Sequence, residues 1–474
     1  MTGLNLILSL LIPFSAGYTL LGFLFPNRCI GLFLKIALAF GLGLGLLSIW
    51  MLVLGICQLP FNSFVIGSPL IITAALFYFL GLRRKKVVQP TATSFIIQTR
   101  DSNQLHGSKR ILHIVMMIGL IVYIALNIFY VFWRATAIPI ATWDAIATVA
   151  FKAKVFYYEQ SLPSLDHLPH KTYPLFVPFV QSWIAFNLGY WDNFLIKIIF
   201  PCAFLSYLIA HYKFLGHYTN RTSALLGSAI LLSSNLFIYH ATISYRDFFL
   251  MYFNCITVML LVLWNNSKVN GFLILAGLFA GFATFTKLEG TAFLGVYFII
   301  FSMINFPSKT FSIKEKLVNT MKFCIPSFGI SFTFHIYKVW NKVLLEGPGI
   351  VDKTRIDLTW EKISLIPQIL TSFLRNLLLS GNWNIIWLLA LLSSIHLVKK
   401  RKNAEIRLIL LSLILFFGLY IGVAVLTINY VWIAGAKSST TLSRLILHFF
   451  PLSVLLIILL NYSGSPQKRG NTSP

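Results

Sequence analysis

Asp144 opens the stretch of this chain in which acids, amines and imidazoles lie closest together. From Thr142-Trp143-Asp144 the sequence runs through Lys152, Lys154, Glu159, Asp166, His167 and His170 to Tyr173-Pro174. A carboxylate placed beside a hydroxyl nucleophile can take its proton, and such help is worth roughly 10²–10⁴-fold in rate. Asp144 also falls near the first turn of an expected helix, where backbone N–H groups and the helix dipole favour an ionised carboxylate. The same position suits a plain N-cap.

Three further places put charge between apolar runs: Arg246-Asp247, Lys287 with Glu289, and Arg444 followed four residues later by His448. A charge near the middle of a bilayer costs roughly 2.5–3.5 kcal/mol on insertion scales, so such residues need a reason. Arg444 and His448 share one helix face, and a guanidinium can grip a phosphate through two hydrogen bonds. Asp247 could position these cations or hold a divalent ion jointly with Asp144. The plainer alternatives are a capping pair at Arg246-Asp247, an internal Lys287–Glu289 ion pair, and Arg444 as an interfacial anchor. His167 and His170 flank Pro169 beside Asp166, but no fourth ligand is evident and no metal site is assigned.

The elements that carry these residues are set by composition. Hydrophobic residues make up 57% of the chain and charged residues 11%, with a mean hydropathy of +0.80. Soluble proteins carry about 25% charged residues, so the chain is expected to be an all-α polytopic membrane protein. Its formal charge of +25 resides mostly in short loops between apolar runs. That pattern follows the positive-inside rule, and no nucleic-acid partner is expected. The five cysteines are odd in number, lie in or beside apolar segments and show no CxxC spacing. The N-terminus is apolar from Leu4 and reads as a retained helix rather than a signal peptide.

Apolar runs long enough to span lie near 3–25, 29–56, 62–81, 111–133, 193–212, 222–240, 247–264, 270–286, 290–304, 318–338, 383–398, 408–428 and 442–461, about 13 in all. Arg83-Arg84-Lys85-Lys86, Lys213 with Arg221, Lys268, Lys309 to Lys316, Lys399 to Lys402 and Lys468-Arg469 mark cytoplasmic loops. The run Tyr173–Tyr190 breaks this alternation, so it reads as a helix that enters the outer leaflet without crossing. From Asp144 onward, Ile146, Val149, Ala153 and Phe156 form an apolar stripe, and Asp144, Thr148, Lys152 and Glu159 share another face. This helix should lie on the membrane surface. The outer side then holds loop 134–192, the corners at 245–247 and 287–289, loop 339–382 and the turn 429–441. Of the 13 acidic residues, only Asp101, Glu315 and Glu405 fall inside. Residues 1–81 form three additional N-terminal helices, 82–110 a cytoplasmic basic loop, 111–461 the main membrane domain and 462–474 a cytoplasmic tail. Gly277 and Gly281 form a GxxxG suited to close helix packing.

Trp143-Asp144-Ala145, then Lys152-Ala153-Lys154, then His170-Lys171-Thr172-Tyr173-Pro174-Leu175, resemble bacterial glycosyltransferases of the GT-C superfamily. The closest subset is similar to the protein-mannosyltransferase and aminoarabinose-transferase group. The corners Tyr245-Arg246-Asp247 and Thr286-Lys287-Leu288-Glu289-Gly290 and the run Ser443-Arg444…His448…Pro451 fall at matching points, so the resemblance covers about residues 111–461. It implies a GT-C-like bundle with an active site at the outer face of a bacterial inner membrane. It also implies a polyprenyl-phosphate-linked sugar donor and an essential first-loop Asp, here Asp144. The chain departs from the pattern at Ala145, where many relatives carry a second acid, and at Thr172, where many carry Asp before Tyr-Pro. Both departures weaken metal chelation through those places, which leaves the cofactor open, a divalent cation included.

The expected reaction is inverting transfer of a sugar to an acceptor hydroxyl on a lipid, glycan or protein. Asp144 would act as base, with Asp247 beside it. Arg444, His448 and Lys287 would meet the donor phosphate, and Trp143, Lys152, His170, Tyr173, Arg246 and Glu289 would contact substrate. Two alternatives use the same residues: a transporter or flippase of a lipid-linked sugar or other anion, and a polysaccharide polymerase or ligase.

Overall fold

The computed structural model describes residues 2–25, 30–87, 108–340, 363–426 and 438–463. Cys29, most of the 82–110 loop, the 341–362 part of the expected outer cap, residues 427–437 and the end of the tail lie outside the described residues. The described chain is helical, with no strand. Eight of its helices are long and apolar enough to cross a membrane: Thr2–Leu24, Leu32–Ile56, Ser63–Arg83, Arg110–Ala137, Leu195–Tyr218, Arg246–Ser267, Leu288–Asn305 and Ala404–Leu426.

Several expected spans are shorter or broken. The run near 222–240 divides into Arg221–Leu232 and Asn235–His240. Ser234 separates them, its hydroxyl accepting from the Phe237 N–H and capping the second piece. The run near 383–398 is cut into Ile386–Ser393, a single 3-10 turn and Leu397–Lys400. The run near 442–461 is bent by 55° between Thr440–Leu447 and Phe450–Asn461, with Pro451 starting the second piece. Phe176–Leu188 has 13 residues, about 20 Å of helix against a hydrocarbon core of about 30 Å. It is too short to cross, and it is buried along nearly its whole length. Trp183 Nε1 donates to the Ser9 carbonyl at 2.7 Å, and Gln181 Nε2 donates to Ser244 Oγ at 2.7 Å.

The helix Arg246–Ser267 is the axis of the bundle, since its apolar window is entirely buried by protein. Leu32–Ile56, Ile199–Tyr218, Asn270–Thr286 and Leu288–Asn305 pack around it or one another, and Arg110–Ala137 presents almost all of its apolar surface outward. The three N-terminal helices share this single core. Ser206 Oγ, for example, donates to the Ala37 carbonyl at 2.6 Å. Asn270–Thr286 lies against Ile313–Trp340 so closely that a Cβ at Gly277 or Gly281 would collide with Phe323, Pro326 or Ile330. The GxxxG therefore serves backbone approach. This packing brings the start of Arg246–Ser267, the junction at Lys287 and the bend after Leu447 to one end of the bundle, beneath the 138–175 segment.

Candidate functional site

Asp247 is the centre of a buried charge cluster at that end. Its carboxylate is 1% exposed and lies in the first turn of its helix. Burying an unpaired carboxylate costs several kcal/mol, so it requires donors, and it has three side chains supplying them. Arg444 donates to Oδ2 through Nη2 at 2.9 Å and Nε at 3.3 Å. Lys287 Nζ donates to Oδ1 at 3.0 Å, and His448 Nε2 lies 3.0 Å from the same oxygen. A carboxylate only accepts, so His448 carries its proton on Nε2. In the neutral imidazole its Nδ1, 2.6 Å from the Tyr420 hydroxyl, is then the acceptor.

Asp144 reaches this cluster from a residue 300 positions away. Arg444 Nη1 donates to its Oδ2 at 2.6 Å. The carboxylate is 38% exposed, unlike that of Asp247. The cap reading fails: Thr142 occupies the N-cap with no side-chain cap bond, and the Asp144 carboxylate turns away from its own helix toward Arg444. Arg444 thus bridges the two acids while its guanidinium lies 4.7 Å from the centre of the Tyr245 ring. Lys287 bridges in the same way, bonding Asp247 and, at 2.7 Å, Glu289. The internal Lys287–Glu289 pair is therefore present, and Lys287 links it to Asp247. Burial alone would lower the Lys287 pKa, but Asp247 and Glu289 beside it raise it above the ordinary lysine value.

The helix from Asp144 is not the surface stripe expected. It contains a π-helical stretch, Ile146–Ala150, between Trp143–Ala145 and Phe151–Glu159. The wider turn changes the angular register between Asp144 and Lys152. Val149, Ala153 and Phe156 are buried as expected, but Ile146 is exposed. Thr148 and Lys152 are buried with them, and Glu159 stands apart in solvent. Lys152 Nζ donates to the His170 carbonyl at 2.7 Å, which ties the helix to the turn carrying Tyr173. Arg246 forms the next layer. It is 6% exposed, donates to Thr148 Oγ1 at 3.2 Å and lies 4.2 Å from the centre of the Tyr173 ring. His170 stacks on the outer side of Tyr173, with ring centres 5.0 Å apart.

The residues expected from sequence thus fall into three groups. Asp144, Asp247, Glu289, Lys287, Arg444 and His448 form one bonded cluster. Arg246, Tyr173, Lys152 and His170 form a supporting layer beside it. Trp143 is 77% exposed and joins neither. His448 and Lys152 are wholly buried and bonded, so as placed they hold the site's framework.

Tyr245, Tyr420 and Asn254 also belong to the site, though the sequence pattern gives them no role. Tyr245 directly precedes Arg246 and could have been found there. Asn254 donates to the His448 carbonyl at 2.6 Å and accepts from Tyr297 at 2.8 Å. Asn254 and Tyr420 sit inside apolar runs, where a single polar residue has no local pattern to mark it. The described part of the expected outer cap also touches the site. Asn376 and Asn382 donate to Ser443 Oγ at 2.9 and 2.7 Å, next to Arg444.

The arrangement does not fit a metal at Asp144 and Asp247, because the Arg444 guanidinium fills the place between the two carboxylates. Among the described residues no group of three His, Cys, Asp or Glu side chains is placed to hold a metal ion. Asp166 pairs instead with Lys171 at 2.8 Å. What the cluster can do is hold a partly exposed carboxylate, Asp144, beside a partly exposed guanidinium, Arg444, with the deeper Asp247 locked by its donors. No family model, no curated protein and no solved structure matches this chain.

Proposed function

We propose that this chain is a membrane-embedded glycosyltransferase, a GT-C-like bundle of about 13 membrane helices, some of them broken. It moves a sugar from a polyprenyl-phosphate donor to an acceptor hydroxyl at the outer face of a bacterial inner membrane. The observation that carries this reading is the contact between Asp144 and Arg444, 2.6 Å apart in space and 300 residues apart in sequence. A base for the acceptor and a cation for the departing phosphate have to be neighbours in such a reaction.

In the proposed step the acceptor oxygen attacks the anomeric carbon and its proton passes to Asp144. The bond from that carbon to the phosphate oxygen breaks, and its electron pair leaves with the polyprenyl phosphate. Charge that builds on the phosphate needs a fixed cation. Arg444 is the cation within reach, being 28% exposed while Asp247 holds its other edge. Arg444 also engages Asp144 at rest, so a phosphate that takes over Nη1 would free the carboxylate to accept a proton. Donor binding would then switch on the base. Lys287, His448 and Tyr420 act through Asp247, as positioning residues. No step needs a metal.

A transporter of the same lipid-linked sugar would use the cations without a base. Reconstitution with labelled polyprenyl-phosphate sugars separates the two. Transfer predicts release of free lipid phosphate together with a glycosylated acceptor. Movement of intact donor across the membrane with no release would replace the transferase reading.

A further inference from the structure

A basic pocket lies beside the paired charge cluster. A cavity of about 150 Å³ is formed where the 108–137 helix ends, between the 138–145 segment and residues 239–244. At about 30 Å³ per water in the liquid, it has room for roughly five waters. Two cations line it, Arg134 and Lys197, and no acidic residue does. Arg134 Nε donates to Thr242 Oγ1 at 3.2 Å, and its guanidinium lies 5.5 Å from the centre of the Tyr239 ring. Lys197 is 2% exposed, and its ammonium donates to the Ile138 carbonyl. Among the described residues neither cation pairs with a carboxylate, whereas Arg444 and Lys287 each have two.

A cation as buried as Lys197 is ordinarily paired, and Arg134 stands half-buried beside the same cavity. Two cations that face one cavity without an acid repel each other, which an entering anion would relieve. The hydroxyls of Thr142 and Ser244 also line the cavity and can donate to an anion's oxygens, while the Thr242 hydroxyl already donates to the Tyr239 carbonyl at 2.8 Å. We propose that this cavity is a phosphate-binding pocket, separate from the Arg444 centre. Thr142 and Ala145 form part of its wall, so a ligand held there would lie next to Asp144. The proposal does not depend on the transferase reading, because it concerns binding alone.

The test is titration of the purified full chain in detergent with three probes: farnesyl phosphate, inorganic phosphate and farnesol. Arg134→Gln and Lys197→Gln should each weaken phosphate binding about tenfold or more, while Arg134→Lys, which keeps the charge, should stay much nearer wild type. The Arg444→Gln variant should still bind phosphate, and adding Arg134→Gln to it should remove that binding. If Arg444→Gln does not fold, stoichiometry replaces it, and Arg134→Gln in the otherwise wild-type chain should bind one phosphate fewer. Tighter binding of farnesyl phosphate than of inorganic phosphate, with farnesol silent, would identify the source as a lipid phosphate. Equal binding of the two phosphates would identify it as the free anion. Phosphate binding unchanged by Arg134→Gln and Lys197→Gln, farnesol binding as tightly as its phosphate, or no phosphate binding at all would each overturn the proposal.

Discussion

Asp144 and Asp247 both bond Arg444, yet the structure assigns them opposite energetic roles, and replacing each separates those roles. The Asp247 carboxylate is 1% exposed and receives Arg444, Lys287 and His448. Hydrogen bonds to a charged group contribute about 1.5–3 kcal/mol each, so three such partners set an upper bound. Arg444 keeps Asp144 and Lys287 keeps Glu289 when Asp247 is removed. The cost of Asp247→Ala should therefore fall at about 3–5 kcal/mol, the range for breaking a buried ion pair. Asp144 is 38% exposed, has one donor, and leaves Arg444 still bonded to Asp247 when it is changed. Exposed pairs are worth about 0.2–1 kcal/mol, so Asp144→Asn should cost less than about 1 kcal/mol. Unfolding in mixed micelles of rising SDS content, followed by tryptophan fluorescence, measures both. An Asp144→Asn variant as unstable as Asp247→Ala, or an Asp247→Ala variant within about 1 kcal/mol of wild type, would refute this division.

Other outcomes follow from the same geometry. Arg444→Ala should raise the donor KM about tenfold or more, and unchanged KM and rate in the reconstituted reaction would remove Arg444 from donor binding. Gly290→Ala places a Cβ against the Ala283 carbonyl, where the two helices flanking Lys287 meet. It should lower the folded yield after detergent extraction, and normal yield and melting would contradict that packing. Lys287 has a raised pKa in the folded protein. Its stabilising contribution is therefore fully present below the ordinary lysine value of about 10.4 and is lost as pH rises through the folded value. Wild type should lose stability in that alkaline window. Lys287→Met should be less stable at neutral pH and should lack that extra loss.

The class of the fold was legible because charge scarcity and long apolar runs are properties of composition. The number of crossings was less so. Arg221–Leu232, Phe176–Leu188 and Asn270–Thr286 have apolar content that reads like spans, but each is under 18 residues. Breaks such as Ser233-Ser234 and the bend after Leu447 are held by tertiary neighbours as well as by the Ser234 cap and Pro451, with Asn384 donating to the Ser233 carbonyl and Asn254 to the His448 carbonyl. The charge cluster was legible for the opposite reason. Asp144, Asp247, Lys287, Glu289 and Arg444 stand out against apolar surroundings, and one shared end of the bundle sufficed to bring them together. Lys152 illustrates what was hidden. Its spacing from Asp144 puts both on one face of a regular α-helix, whereas the π-helical turn at 146–150 shifts that register and Lys152 bonds inward to the His170 carbonyl. Arg134 and Lys197 were hidden as well, since each looks like an ordinary basic residue at a helix end until the cavity between them is seen.

The proposed reaction turns on Asp144 as its base, and one measurement bears on that directly: release of lipid phosphate from a labelled polyprenyl-phosphate sugar by reconstituted Asp144→Asn beside wild type. A base at Asp144 predicts a loss of roughly 10²-fold or more in rate with the unfolding midpoint nearly unchanged. Turnover by the Asn variant at the wild-type rate would contradict it.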